Sequence, residues 1–334
     1  MRKKILKTII AFILFSPLIG LTATVYPSIG GNVMFTLEPK NPGPNSQATI
    51  KVSSYVIDTT EANISWYLGD KLEMEGIGKD IFSFKTGSIG KPIIIKMIAD
   101  INGQRMGRAI SIIPAEVDIV WEANTYVHPS YKGKAMASPK SSIKIIAIPQ
   151  FKTENGTTIP TNELKYEWKK GTAIILSGLG KNIFNTDIGS PLAEEEIKLL
   201  VSDRNGQITT EKIITIIPED PEIIFYKENP TEGTEYNNSL TGYVNLEEKE
   251  ISVRAEPFFF SYPSSAKEAN LMFSWNINEK GVLPNDGTPK IITLRNESGQ
   301  GLTSSISLSI KNAYKVFQEA TNDFILESTA GFKF

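Results

Sequence analysis

The chain contains no cysteine and a single histidine, His128, among its 334 residues. The first absence removes disulfides, thiolate metal sites and cysteine nucleophiles together. The second takes away the base of a Ser-His-Asp triad and the several imidazoles of a zinc site. A strong charge of one sign is also missing, because 35 Lys and Arg stand against 37 Asp and Glu for a formal charge of −2. Four of those cations, Arg2, Lys3, Lys4 and Lys7, fall in a leader described below, which leaves the rest acidic. Phosphate neutralisation needs a basic excess or stripe, so nucleic acid is not an expected partner. No cofactor, metal or catalytic residue is expected either, and the chain reads as a non-enzyme.

No apolar run is long enough to span a bilayer without interruption. Residues 1–24 have a basic start, the run Thr8 to Phe15, a break at Pro17 and small residues at Thr22-Ala23. That order is the layout of a signal peptide, expected to be cleaved, with a retained anchor as the other reading. Membrane attachment is therefore expected only through an uncleaved leader. Gly31 followed by Phe35-Thr36-Leu37-Glu38 has the look of a pilin processing site. The prolines Pro39, Pro42 and Pro44 forbid the long helix such a site requires. Residues 328–334 show neither a hydrophobic tail nor a sorting motif, so no second anchor is expected there.

What is present is repetition. The shift that carries Trp66 onto Trp168 also carries Gly76, Gly78 and Lys79 onto Gly178, Gly180 and Lys181. It carries Ile81-Phe82 onto Ile183-Phe184 and Ile95-Lys96 onto Ile197-Lys198 as well. Asp100-Ile101-Asn102-Gly103-Gln104 then matches Asp203-Arg204-Asn205-Gly206-Gln207 with one residue added, and both copies run through β-branched residues into Pro114 or Pro218. A third, more diverged copy keeps Trp275 and the alternation Ile306, Leu308, Ile310, with Pro284-Asn285-Asp286-Gly287 in place of the Gly-x-Gly-Lys segment. Domains are expected at residues 30–115, 116–219 and 220–328, joined by linkers short enough for a stiff rod.

Within each copy short β-rich runs alternate with turn residues, the pattern of an all-β sandwich. Period-two alternation puts Ile95, Met97 and Ala99 on one face, like Ile197, Leu199 and Val201, and that face is the expected core. Asn102-Gly103 and Asn205-Gly206 read as tight hairpin turns. Trp66, Trp168 and Trp275 fall on the third main strand and are expected to fill the space between two sheets.

The strand pattern resembles bacterial polycystic-kidney-disease-type (PKD) and other immunoglobulin-like extracellular domains. The segments Pro114 to Ala123, Tyr131 to Ala135 and Asp220 to Tyr226 are similar to those of uncharacterised exported repeat proteins of bacteria. The resemblance implies three tandem immunoglobulin-like β-sandwich domains in an elongated arrangement, and an extracellular, cell-surface or periplasmic location. It implies no activity.

Several candidate sites need weighing. Gly76-Ile77-Gly78-Lys79 and Gly178-Leu179-Gly180-Lys181 suggest a phosphate loop, yet a strand and not a helix follows each, so a turn is expected. Asp100 and Asp203 beside Asn-Gly offer oxygens for calcium but lack the further spaced carboxylates. The acidic run Glu194-Glu195-Glu196 reads as a surface loop. Copies two and three share insertions, Thr125 to Ala137 and Thr231 to Gly242, which copy one lacks. Aligning Ile119-Val120-Trp121 with Ile224-Phe225-Tyr226 places Tyr131 on Tyr236. The aromatics Trp121, Tyr126, Tyr131, Tyr226 and Tyr236 therefore either cover the junction with the preceding domain or form an exposed binding lip. Phe258-Phe259-Phe260 is the strongest apolar cluster, and alternation would expose at least one ring, with Phe259 the binding candidate. The expected function is a structural or adhesive envelope module binding other envelope proteins or surface glycans, with carbohydrate binding through the inserted aromatics as the alternative.

Overall fold

A computed structural model describes residues 33–189, 193–246, 248–262, 271–284, 287–297 and 300–328. The leader, Gly31, Asn285, Asp286 and the tail beyond Ser328 lie outside the described residues.

The first seven strands are β1 (Val33–Glu38), β2 (Gln47–Ser54), β3 (Asn63–Leu68), β4 (Lys71–Ile77), β5 (Ile81–Lys85), β6 (Ile93–Ile101) and β7 (Gln104–Ile112). They form the sheets β1-β2-β5 and β4-β3-β6-β7. The next seven repeat that order: β8 (Glu116–Ala123), β9 (Ser142–Gln150), β10 (Lys165–Lys170), β11 (Ala173–Leu179), β12 (Ile183–Asp187), β13 (Glu195–Ser202) and β14 (Thr209–Ile216). Their sheets are β12-β9-β8 and β11-β10-β13-β14, the same three-plus-four arrangement. The last nine are β15 (Glu222–Asn229), β16 (Gly233–Leu240), β17 (Gly242–Asn245), β18 (Glu250–Phe258), β19 (Leu271–Ile277), β20 (Lys280–Val282), β21 (Ile291–Arg295), β22 (Leu302–Asn312) and β23 (Glu319–Ser328). Here the sheets are widened to β16-β15-β18-β21 and β17-β23-β22-β19-β20, with β17 parallel to β23. The chain is thus a tandem series of immunoglobulin-like β-sandwiches.

By packing, the chain falls into two compact units. One comprises Lys51–Phe82 and Ile94–Ile110 with the start of β1 up to Phe35, the other Thr36–Ile50, Ser83–Ile93 and the chain from Ser111 onward. In the first unit Trp66 is fully buried between Phe35 and Phe82, with ring centroids 5.8 and 5.5 Å away. In the second, Trp168 stacks on Phe184 at 5.4 Å and Trp275 lies 5.7 Å from Phe225. The alternating residues Ile95, Met97 and Ala99, then Ile197, Leu199 and Val201, then Ile306, Leu308 and Ile310, are all buried. Each fills the inner face of its strand, because successive side chains of a strand point to opposite faces.

A buried indole needs a partner for its N–H. Trp66 Nε1 donates to the Lys79 carbonyl at 2.7 Å and Trp168 Nε1 to the Lys181 carbonyl at 2.8 Å. The Gly-x-Gly-Lys segment is therefore an indole-capping turn. Gly78 and Gly180 are left-handed at φ 69 and 66, and a Cβ on Gly78 would lie 2.9 Å from the Thr60 carbonyl oxygen. In the third sandwich the Pro289 carbonyl takes the same role for Trp275 at 3.0 Å.

Three local expectations change. Asn102-Gly103 is a tight hairpin turn with both residues left-handed, but the second sandwich needs the longer connection 203–208, closed by Asp203 N to Ile208 O at 3.0 Å. Glu195 is no loop residue: it opens β13 and is buried, its carboxylate accepting from Gly189 N at 2.7 Å and pairing with Lys170 at 3.1 Å. The alignment of Trp121 with Tyr226 is also off by one face. Trp121 pairs with Ile145 and packs on the core of its sandwich, whereas Tyr226 pairs with Arg254 on the outer face of β15. A one-residue slip in a strand turns every side chain over.

Candidate functional site

After β8 the chain leaves its own sheet and runs as a strap over the third sandwich. Buried backbone groups must find partners wherever the chain passes. The strap meets this demand by pairing with the end of β18. Tyr126 N donates to Phe260 O and Phe259 N to Tyr126 O, each at 2.8 Å, and Thr125 and Ser261 form an antiparallel bridge. Asn124 Nδ2 adds a bond to the Tyr262 carbonyl at 3.1 Å.

Rings then close the seam. His128 stacks on Tyr236 with centroids 3.7 Å apart, and Tyr236 meets Tyr226 edge-on at 5.1 Å. Tyr131 stands edge-on to Phe258 and Phe259 at 5.4 and 6.1 Å. Tyr126 leans on Phe258 and on Tyr262. All three rings of Phe258-Phe259-Phe260 are buried, against the expected exposure of at least one. The reason is local: Phe259 sits at φ 64, which breaks the strand's alternation just where the strap crosses.

Beneath the rings lies a carboxylate. Glu256, 2% exposed, accepts from the Tyr126 hydroxyl at 2.5 Å and from the Tyr236 hydroxyl at 3.1 Å. Arg254 and Lys290 approach it at 3.9 and 4.0 Å. A buried charge is tolerated only when paired and hydrogen-bonded, and this one is both. Burial, followed by the bond to Glu256, holds the Tyr126 hydroxyl well above the ordinary phenol range. Burial likewise raises Tyr226 and Tyr236. Next along the face, Arg254 clasps Glu228 through two bonds of 2.8 and 3.2 Å, and that hydrogen bonding holds Glu228 below the ordinary carboxylate range.

A second knot lies on the other side of the strap. Gln318 is buried, and its Nε2 approaches Ser138 Oγ, the Pro139 carbonyl and Ser261 Oγ at 3.0, 2.7 and 2.5 Å. Its Oε1 accepts from Ser261 N and from Asn312 Nδ2, both at 3.0 Å. Sequence reasoning missed this residue, because nothing in the sequence ties Gln318 to the Ser138-Pro139 turn far upstream.

Of the aromatics singled out from sequence, Tyr126, Tyr131, Tyr226, Tyr236 and Phe259 come together at this seam. Trp121 does not: its ring lies on the edge of the second sandwich's core, with the Lys134 ammonium 2.9 Å from its centroid. The insertion of the second copy also reaches forward onto the following sandwich, where the preceding one was an expected target. The insertion of the third copy instead forms β16, adding a strand to the sheet on which the strap lies.

Other candidates are spent locally. Asp100 accepts from Gly103 N at 3.0 Å and from Arg105 at 2.9 Å, and Asp203 from Ile208 N at 2.9 Å, so these carboxylates close turns. Among the described residues no cluster of three His, Cys, Asp or Glu could hold a metal, and no helix is long and apolar enough to cross a membrane.

No family model and no curated protein matches the chain. Among solved structures it is similar to the three N-terminal domains of the bacteriophage RB49 Highly Immunogenic Outer Capsid protein, at 11% identity and TM-score 0.27, covering 89% of this chain and 98% of that one. It is similar to the central fibronectin-III array of RIM-binding protein, at 13% identity and TM-score 0.28, over 89% and 93% of the two chains. A third is the Bacteroides ovatus SGBP-B of a mixed-linkage glucan utilization locus, solved with a heptasaccharide, at 9% identity and TM-score 0.23 over 88% and 70%.

Proposed function

We infer that the chain is a non-catalytic, exported protein of a bacterial cell envelope or surface, a structural and adhesive module built from three domains at 30–115, 116–219 and 220–328 behind a leader at 1–24. The observation that carries this reading is the fate of the chemistry-bearing residues. The histidine, four tyrosines and a buried carboxylate gather in one place, and there they join two sandwiches. An acid or base catalyst must reach a substrate proton, and Glu256 is sealed under the strap. Its surface partners are other envelope proteins or glycans.

The carbohydrate reading retains one ring. Tyr131 is 40% exposed, while Tyr236 is stacked under His128 and Trp121 faces its own core. Sugar recognition by a coplanar aromatic platform needs more than this.

Fractionation of the native cells with an antibody to the chain tests the proposal. Recovery with the envelope, lacking the leader, is expected; a cytoplasmic pool would overturn export. A glycan array run with the purified chain should give no signal that Tyr131→Ala removes, and a Tyr131-dependent signal would favour the carbohydrate reading.

A further inference from the structure

The outer strand of a sheet offers unpaired backbone groups to any other strand, and natural edges are kept from pairing chiefly by charge. Among the described residues, every edge strand longer than four residues carries Asp, Glu, Lys or Arg, from Glu38 in β1 to Arg295 in β21, with one exception. The exception is β11, Ala173-Ile174-Ile175-Leu176-Ser177-Gly178-Leu179. Ile174 and Ile175 are 55 and 52% exposed there, and Leu179 is exposed as well.

The repeat shows what is missing at this edge. The shift that carries Trp66 onto Trp168 lays β4 on β11, and there Lys71, Glu73 and Glu75 become Ala173, Ile175 and Ser177. The two strands expose the same positions and bulge at the same place, beside Trp66 and Trp168, so charge and not shape separates them. Antiparallel pairing of β4 with itself about Met74 would set Glu73 of each copy against Glu75 of the other, and like charges oppose that. The same pairing of β11 about Leu176 sets Ile175 against Ser177. Of the nearest charges, Glu167 and Lys169 on β10 pair with each other at 2.8 Å, and Lys170 pairs with Glu195 at 3.1 Å. Lys165 and Lys181 stand at the Leu179 end, and antiparallel pairing keeps those of the two copies at opposite ends of the joint. The uncharged edge is thus complementary to itself, and a two-fold axis satisfies both copies at once.

We propose that β11 pairs antiparallel with β11 of a second copy of this chain, joining their four-stranded sheets into one continuous sheet about a two-fold axis. The contact is isologous and closed, so it makes dimers and nothing larger. It holds wherever the chain resides and does not rest on the envelope reading.

Sedimentation velocity of the chain freed of its leader, over a wide concentration range, tests this. Wild type should pass from monomer to dimer with no larger species. Ile175→Glu, which supplies the charge that Glu73 carries in the first copy, should weaken the dimer by more than about tenfold with the circular dichroism unchanged. Ile175→Lys should do the same. Across the two-fold axis the substituted side chains are diagonal neighbours on one face, so mixing Ile175→Glu with Ile175→Lys should recover dimers that neither forms alone. Ile213→Glu, at a similarly exposed isoleucine on the opposite edge of the same sheet, should leave the dimer intact. Wild type that stays monomeric or runs on to larger species, a dimer that survives Ile175→Glu, a mixture that forms no pairs, or a dimer lost equally in Ile213→Glu would overturn the proposal.

Discussion

Two corresponding sheets, one of three strands and one of four, face the outside in opposite ways. On the second sandwich the outer face of β8, β9 and β12 is bare, and Val120, Ile148 and Ile183 stand 48, 48 and 43% exposed. On the third sandwich the matching outer face of β15, β16 and β18 lies under the strap, and there a carboxylate is buried to 2%. The difference shows what the inserted segment does. An open sheet face tolerates aliphatic side chains in water at little cost, whereas the strap that covers Glu256 also brings the Tyr126 hydroxyl to it, beside Tyr236, Arg254 and Lys290. The insertion is thus a joint, and its aromatics are the joint's packing.

The largest effect that would sharpen this contrast comes from the core. Trp168→Ala should cost about 3–5 kcal/mol in the second sandwich. If the strap couples the two, the unfolding transition of the third sandwich should move with it, as read by Trp275 fluorescence in a Trp66→Phe and Trp121→Phe background. Independent transitions would break the comparison.

Gln318→Ala comes next. It strips partners from Ser261 N, Ser138 and the Pro139 carbonyl, all at the junction, for a loss of about 2–4 kcal/mol by chemical denaturation. A loss below about 0.5 kcal/mol would mean that the knot contributes nothing.

Tyr126→Phe should be smaller, about 1–2 kcal/mol, since Glu256 retains Tyr236 and two cations. It should also change the alkaline limb. The Tyr126 hydroxyl is raised in the folded chain, so the stabilisation it gives is fully present below the ordinary phenol value near 10 and is lost as pH climbs beyond it. The stability of Tyr126→Phe should therefore fall less steeply above about pH 10. Equal slopes for both proteins would deny the hydroxyl its buried partner.

The smallest effect belongs to the bare face. Val120→Thr keeps the β-branch at a side chain 48% exposed and should stay within about 0.5 kcal/mol of wild type. A larger loss would show that this face is covered after all.

Much of the fold was legible because its cause is periodic. The shared register of Trp66 and Trp168, the inner faces of β6, β13 and β22 and the Asn102-Gly103 turn all follow from local pattern. The Gly-x-Gly-Lys segment was legible as a turn, but its purpose was not, because the indole it caps is thirteen residues away in sequence and across the strand in space. The junction was legible only as a cluster of aromatics. Its direction depends on which sheet the strap meets, and a left-handed Phe259 that buries three consecutive rings has no signature in the sequence. The Trp121 and Tyr226 alignment failed for a related reason, since similar apolar strands align equally well with either face inward.

The central claim is that Asn124 to Tyr126 forms a standing part of the third sandwich. Native-state hydrogen exchange at the amides of Tyr126 and Phe259, each bonded across the junction at 2.8 Å, tests it most directly. A permanent joint gives protection close to that of the core amides of β18. Exchange at the rate of an open loop, with β18 still protected, would contradict it.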